Sequence, residues 1–227
     1  MIDFILKKNN ILISPSILAA DFAKLGQEVI AVDKAGADWI HIDIMDGHFV
    51  PNLTIGPEVV SSLRQYTKKL FDVHLMTMPA NNWLEPFAKA GADIITIHLE
   101  AESNVKESLK IIKGLGLKAG LSIKPSTSEN TLKKYIEYCD LILVMTVNPG
   151  FGGQKFMTTQ LKKIRNIKNM QKRLGINIDI EVDGGVNKET SKLCLEAGAN
   201  VLVAGSVIFS EDSKNYSNLI NSLRNNN

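Results

Sequence analysis

Short runs rich in isoleucine, valine and leucine alternate eight times with longer segments whose apolar residues recur at helical spacing. The short runs predict buried strands and the longer segments predict amphipathic helices. The predicted strands are Ile11–Leu18, Trp39–Met45, Leu70–Met76, Ile94–Leu99, Lys118–Lys124, Leu141–Val147, Asp179–Asp183 and Val201–Val207. The predicted helices begin near Asp21, Pro57, Asn81, Asn104, Ser128, Thr158, Lys188 and Ser213, of which Asp21, Asn81 and Ser128 are residue types that cap helices.

Strict alternation of strand and helix predicts parallel strands, because each helix must carry the chain back to the edge where the strand began. An open doubly wound sheet would also use this alternation. Eight even units without a helix-only interruption favour a closed α/β fold, the (β/α)8 TIM barrel, formed as a single domain over residues 1–227.

A faint repeat precedes three of the predicted strands, in Lys34–Asp38, Lys89–Asp93 and Glu196–Asn200. Each copy contains Ala-Gly-Ala, in which the glycine is expected to adopt the left-handed conformation that ends a helix. We interpret the repeat as a structural device. The asparagine-rich tail, Asn225–Asn227, is expected to fray beyond the last helix.

Composition adds mainly exclusions. The hydrophobic fraction of 44%, the charged fraction of 22% and the net charge of +2 are ordinary for a globular protein, and they give no reason to expect nucleic acid or an anionic membrane as a partner. No segment has the length of a bilayer span, and the apolar run within residues 1–10 is too short for a secretion signal. We therefore expect a cytoplasmic protein in which Cys139 and Cys194 are buried free thiols.

Four potential metal ligands lie near the carboxyl ends of three predicted strands: His41 and Asp43 in the second, His74 in the third and Asp183 in the seventh. Side chains alternate faces along a strand, so His41 and Asp43 point the same way. Isolated polar core residues would be the simpler interpretation of any one of them. Four converging at the rim where barrel active sites form favour one divalent metal ion, with zinc, iron(II), cobalt and manganese all compatible with these donors.

Glycine-rich turns follow the last three strands, in Asn148–Lys155, Asp183–Gly185 and Gly205–Ser206. Backbone N–H groups of such turns bind a phosphate without a basic side chain, and barrels commonly place a phosphate there. The first turn lacks the Ser or Thr of a P-loop and the third glycine of a dinucleotide fingerprint, which favours one phosphate over a nucleotide. The Phe151–Phe156 segment resembles loops that close over active sites.

Taken together, these segments resemble the ribulose-phosphate 3-epimerase family. The resemblance is carried by Ser14–Asp21, His41–Asn52, Asp72–Met76, Val144–Phe156 and Ile180–Val186, so it runs from the first strand to the last units of the chain. It implies a metal-dependent epimerase of the pentose phosphate pathway that interconverts D-ribulose 5-phosphate and D-xylulose 5-phosphate. It also implies a cytoplasmic homo-oligomer, either a dimer or a hexamer.

The same resemblance assigns roles to individual residues. Asp43 and Asp183 are implied to transfer the proton, and His41, Asp43, His74 and Asp183 to hold one divalent ion per subunit, with Zn²⁺ first and Fe²⁺, Mn²⁺ or Co²⁺ as alternatives. The residues implied to contact the sugar phosphate are Ser16, His74, Gly150, Phe151, Gly152, Gly153, Gly184, Gly185, Gly205 and Ser206. Met45, Met76 and Met145 are expected either to line the reacting carbons or to pack in the core.

Three alternatives remain at this point. Allulose-6-phosphate 3-epimerase uses the same chemistry on a longer sugar. Barrel decarboxylases and aldolases carry an Asp-x-Lys-x-x-Asp run, but the corresponding stretch here, Asp72–Thr77, has His74 in the lysine position and lacks the second aspartate. A non-catalytic sugar-phosphate-binding barrel is expected to have lost its acid–base pair, whereas Asp43 and Asp183 are both present.

Overall fold

A computed structural model describes residues 11–224, and these residues form one ring of parallel strands surrounded by helices. The strands are β1 (Leu12–Pro15), β2 (Trp39–Met45), β3 (Leu70–Met76), β4 (Ile94–His98), β5 (Lys118–Ile123), β6 (Leu141–Met145), β7 (Asp179–Asp183) and β8 (Val201–Ala204). The α-helices are α1 (Leu25–Lys34), α2 (Pro57–Leu63), α3 (Leu84–Lys89), α4 (Val105–Gly114), α5 (Gln160–Leu174), α6 (Lys188–Ala197), α7 (Ser206–Phe209) and α8 (Tyr216–Arg224). The expected fraying of Asn225–Asn227 concerns residues outside this range.

Neighbouring strands pair in the order β1-β8-β7-β6-β5-β4-β3-β2, and a parallel bridge between Ser16 and His41 joins β1 to β2. This bridge completes the ring, so the predicted TIM barrel is confirmed and the open doubly wound sheet is excluded. The carboxyl ends of all eight strands consequently open at one rim. None of the helices within residues 11–224 combines the length and apolar character needed to cross a bilayer.

Helix–strand packing forms the main hydrophobic core, because outward-facing residues such as Ile40, Phe71 and Ile95 are fully buried against the surrounding helices. A second, smaller cluster fills the lower part of the barrel interior around Trp39, Leu141 and their neighbours. Above that cluster the interior becomes polar. Because buried polar side chains cost free energy, their presence there indicates a role other than packing.

The Ala-Gly-Ala repeat performs the predicted structural role, since Gly36, Gly91 and Gly198 have φ values of 96°, 99° and 113°. After α6, the Gly198 N–H donates to the carbonyls of Cys194 and Leu195 and closes the helix. The two cysteines, Cys139 and Cys194, are buried and unpaired as expected.

Several local predictions were wrong. The first strand ends at Pro15 instead of Leu18 and the last at Ala204 instead of Val207, because 3-10 and α-helical turns begin directly afterwards. Asp21 and Ser128 cap helices as predicted, but Asn81 lies inside a 3-10 helix and does not cap it.

The fifth return crossing contains 3-10 helices, Glu129–Lys134 and Ile136–Tyr138, instead of an α-helix. A 3-10 helix rises about 2.0 Å per residue against about 1.5 Å for an α-helix, so it spans the return with fewer residues.

Candidate active site

The β2 and β3 strands supply most of the polar cluster at the upper end of the barrel. Their register places His41 beside Asp72 and Asp43 beside His74, all facing inward. Asp183 enters from the end of β7. One ligand atom from each of His41, Asp43, His74 and Asp183 lies within 4.8 Å of the other three, so the structure brings the four predicted ligands together.

Asp43 lies at the centre of this cluster. Its Oδ1 atom is 3.1 Å from His74 Nδ1 and 3.3 Å from His41 Nε2, while its Oδ2 atom accepts a hydrogen bond of 2.6 Å from the Ser16 hydroxyl. Asp183 Oδ2 is 4.0 Å from His74 Nδ1. The donor set therefore consists of two imidazole nitrogens and two carboxylates around one small space.

This donor set fits a divalent metal ion. His41 Nε2 is fully buried, faces Asp43 and lacks a hydrogen-bond partner within the described residues. An unpaired buried nitrogen is costly, and a metal ion bound at that position would remove the cost. The buried His/Asp cluster can thus hold a metal ion, and mixed imidazole and carboxylate donors suit a first-row divalent ion.

The electrostatics of the two carboxylates differ. Burial alone would raise the pKa of Asp43, but the adjacent His41 and His74 rings hold it well below its usual value. Burial and the negative charge of Asp43 raise the pKa of Asp183 to about 6. Near neutral pH, Asp43 therefore stays ionised, whereas Asp183 gains or loses a proton readily.

The histidine on β2 is held from below by carboxylates. His41 Nδ1 is 2.6 Å from Asp72 Oδ2 and 3.7 Å from Glu181 Oε1, with all three side chains fully buried. Burial alone would lower the pKa of His41, but the Asp43 and Asp72 carboxylates hold it well above its usual value. Burial and the charge of Asp72 raise the pKa of Glu181. The sequence analysis gave Asp72 and Glu181 no role, although each lies two residues before a predicted ligand on its strand, His74 and Asp183.

A cavity opens directly above the cluster and contains about 600 Å³ of space when its open mouth is included. It collects most of the residues singled out from the sequence: Ser16, Asp43, Gly150, Phe151, Gly152, Gly153, Asp183, Gly184, Gly185, Gly205 and Ser206. Met45, Met76 and Met145 also line it. His41 and His74 do not, since both are fully buried beneath its floor.

The glycines after β7 are required by geometry. Gly184 has a φ of 116°, and a Cβ there would lie 2.4 Å from a methyl group of Val147. Gly185 has a φ of 66°, and a Cβ there would lie 2.7 Å from the Phe156 nitrogen. Any larger residue would displace the β6–α5 loop that forms the opposite wall of the cavity.

His98 and Glu100 were missed by the sequence reasoning. His98 Nε2 is 2.8 Å from His74 Nε2, and His98 Nδ1 is 3.3 Å from Glu100 Oε2. Burial lowers the pKa of His98 to about 4, so its ring is neutral. Burial alone would raise the pKa of Glu100, but hydrogen bonds from His98 and Thr127 lower it to about 2. The alternation Ile94, Thr96, His98 along β4 was the available signal.

Comparison with known proteins decides the family. Residues 12–209 match the model of the ribulose-phosphate 3 epimerase family. The chain belongs to this family.

Curated relatives agree along nearly the whole chain. The ribulose-phosphate 3-epimerase of Synechocystis is 51% identical over 218 residues, covering 95% of this chain and 94% of the relative. That of Bacillus subtilis is 50% identical over 203 residues, covering 89% and 94%. The chloroplastic ribulose-5-phosphate-3-epimerase of Arabidopsis thaliana is 48% identical and covers 96% and 77%. An epimerase of this family acts on a phosphorylated sugar.

Solved structures with much lower identity share the fold. A tryptophan synthase α-subunit from Pyrococcus furiosus superimposes with a TM-score of 0.68 at 16% identity, covering 96% of this chain and 97% of that one. A thiamine phosphate pyrophosphorylase from the same organism gives 0.64 at 17% identity, covering 95% and 94%. At these identities the likeness supports the TIM barrel alone.

Proposed function

We propose that this ribulose-phosphate 3-epimerase family member interconverts D-ribulose 5-phosphate and D-xylulose 5-phosphate, using Asp43 and Asp183 as its proton-transfer pair. The observation that carries the proposal is the pair itself. Both carboxylates line one cavity, and their surroundings shift their pKa values in opposite directions. A pair of carboxylates separated in this way provides an acid and a base at the same pH.

Inversion at C3 requires removal of a proton from one face of the carbon and return of a proton to the opposite face. Asp43 stands on β2 and Asp183 on β7, three strands apart around the barrel, so the sugar can lie between them. One carboxylate takes the proton while the other, protonated, delivers one, and the roles exchange with the direction of reaction. The Ser16 hydroxyl and the histidines orient Asp43 for this transfer.

We assign one divalent ion per subunit to His41, Asp43, His74 and Asp183, with Zn²⁺ as the first choice and Fe²⁺, Mn²⁺ or Co²⁺ as alternatives. When bound, the ion supplies positive charge that stabilises the oxygens of the enediolate. Met45, Met76 and Met145 restrict water around the reacting carbons. The turns at Gly150–Gly153, Gly184–Gly185 and Gly205–Ser206 offer N–H groups to the phosphate.

The test compares turnover of D-ribulose 5-phosphate and D-allulose 6-phosphate by protein purified without chelators, with metal content measured on the same sample. We expect a higher kcat/KM for the pentulose phosphate and about one equivalent of metal per chain. Preference for the hexulose phosphate would support the alternative epimerase. Lack of turnover on both substrates would leave a non-catalytic binding barrel, and an active metal-free enzyme would refute the metal site.

We further propose a homo-oligomer, a dimer or a hexamer. Its support is apolar surface beside the site: Leu53 is 72% exposed and Met78 is 48% exposed. The two are held near each other because Asp46 bridges to Leu53 and accepts a hydrogen bond from the Met78 N–H. Light scattering on the purified protein distinguishes these states from a monomer.

A further inference from the structure

The wall of the barrel formed by β4 and β5 contributes none of the four proposed metal ligands, yet it reaches the metal site through one histidine. His98, the last residue of β4, is fully buried, and its Nε2 atom lies 2.8 Å from His74 Nε2. The Phe49 ring covers its other side, with the ring centroids 4.7 Å apart. His98 is therefore shielded from water and bonded to a residue that the proposed mechanism places on the metal.

Hydrogen accounting fixes the direction of these contacts. Two ring nitrogens at 2.8 Å share one hydrogen, so one of them donates and the other accepts. On the other side of the His98 ring, Nδ1 faces Glu100 Oε2 at 3.3 Å, and an ionised carboxylate accepts only. His98 thus carries its hydrogen on Nδ1 and accepts on Nε2.

It follows that His74 must donate from Nε2. With Nε2 fixed as the donor, a metal ion has to displace only the hydrogen on Nδ1, the atom that lies 3.1 Å from Asp43 and 4.0 Å from Asp183. This is the nitrogen that a metal ion in the four-residue cluster would need. In His41 it is Nδ1 that donates, to Asp72 over 2.6 Å, so Nε2 is the nitrogen left to bind an ion.

Glu100 is itself anchored. Its Oε1 atom accepts the backbone N–H of Lys124 at 2.9 Å and the hydroxyl of Thr127, both beyond the end of β5. Its Oε2 atom is thereby left for His98. The series of hydrogen bonds therefore runs from the segment just after β5 through Glu100 and His98 to the ring of His74.

We propose that His98 and Glu100 are positioning residues that fix the tautomer of His74 and so prepare its Nδ1 atom as a metal ligand. This inference rests on the proposed function, since it assumes that the four-residue cluster holds the metal. It gives a buried histidine and a half-buried glutamate a role that neither the ligand set nor the cavity lining assigns.

Glu100→Gln tests the tautomer argument with almost no change in shape. The Lys124 N–H can only donate, so the amide oxygen of the glutamine must face it. The amide NH₂ then faces His98 Nδ1, which must accept. His98 would donate from Nε2 to His74 Nε2 and force the His74 hydrogen onto Nδ1. For His74 Nδ1 to bind a metal ion, the hydrogen bonds among residue 100, His98 and His74 would all have to reverse direction.

The experiment uses the full chain labelled with ¹⁵N-histidine. The chain has only four histidines, so single substitutions assign every signal. In the Zn²⁺-loaded wild type we expect the ring hydrogen on Nε2 of His74 and on Nδ1 of His98. Competition with a chelator should show that Glu100→Gln binds Zn²⁺ about 10- to 100-fold more weakly, as is usual when the partner of a ligating histidine is lost.

Asp140→Asn is the matched control. The Asp140 carboxylate likewise accepts a backbone N–H, that of Ala119 in β5, but Asp140 lies just before β6. It should leave Zn²⁺ affinity unchanged. His98→Gln, whose amide can accept from His74 and donate to Glu100, should retain more affinity than His98→Leu.

A His74 hydrogen on Nδ1 in the Zn²⁺-loaded wild type would overturn the proposal, as would unchanged affinity in folded Glu100→Gln. A wild type that binds Zn²⁺ at a site insensitive to His74→Ala would instead refute the proposed metal site. The two failures are therefore distinguishable.

Discussion

Replacing Asp183 by asparagine should have opposite effects on stability and on catalysis. The amide keeps the shape of the side chain but can neither ionise nor exchange the C3 proton. Because a positioned acid or base contributes roughly 10²- to 10⁴-fold to rate, we expect epimerisation to fall by at least 10²-fold. In metal-free protein above pH 7, however, the fold should become more stable.

The stability effect follows from the pKa. Burial and the charge of Asp43 raise the pKa of Asp183 from 3.8 to about 6. Because the pKa of Asp183 is higher in the folded protein than in the unfolded chain, its protonated carboxyl stabilises the fold. This stabilisation is complete below about pH 4 and is lost as the pH rises through 6. Each pKa unit corresponds to about 1.4 kcal/mol, so the ionised carboxylate costs the fold about 3 kcal/mol at most. Replacing the ionised Asp183 carboxylate by an amide should therefore raise the Tm of the metal-free protein above pH 7 by roughly 5 to 10 °C.

Asp43→Asn is the matched comparison. His41 and His74 hold the pKa of Asp43 well below its usual value, against the effect of burial, so its ionised form stabilises the fold. The same chemical change there should lower Tm at pH 8 while also abolishing turnover. Calorimetry after chelation, at pH 8 and at pH 4, measures both effects. A folded Asp183→Asn variant with near-normal turnover, or one that is less stable than wild type at pH 8 without metal, would refute the reasoning.

Two further outcomes are expected. Zn²⁺ should bind more tightly as the pH rises from about 5 to about 7, because binding displaces the proton of Asp183, whose pKa is raised to about 6 by burial and by Asp43. Calorimetry in buffers of different ionisation enthalpy detects the released proton. An affinity that does not change with pH would contradict this expectation. Gly120→Ala should destabilise the fold by about 1 to 3 kcal/mol in urea unfolding, since its Cβ would lie 2.1 Å from Thr96 Oγ1, and adding Thr96→Ala should restore part of the loss.

The fold was predictable because strand–helix alternation is written in the hydrophobic pattern. All eight strands were predicted. For five of them, β2, β3, β4, β5 and β7, the predicted first and last residues are within one residue of the observed ones. Two of the wrong boundaries, at Pro15 and Ala204, lie where strands give way to short helices within apolar sequence, and the sixth strand ends at Met145 instead of Val147. Periodicity cannot separate strand from helix over three or four apolar residues.

The ligand cluster was predictable for a different reason. Inward-facing positions near the carboxyl ends of two clearly patterned strands hold three of the ligands: His41 and Asp43 on β2, and His74 on β3. Barrel topology brings such positions together at one rim. His98 is also an inward-facing residue at the carboxyl end of β4, but its contact with Glu100 depends on where the chain turns after the strand. That turn has no signature in the sequence.

The register between β2 and β3 explains why the ligands could be predicted and their partners could not. The observed pairing sets His41 against Asp72 and Asp43 against His74, so each strand holds the imidazole of the other. A slip of one residue would turn both sets outward, and the hydrophobic pattern forbids it. A slip of two residues keeps every side chain on its face, yet it would set His41 against His74 and leave Asp43 against Met76. The period-two pattern permits both registers, so the length of the crossing connection and closure of the ring must select the one that assembles the site.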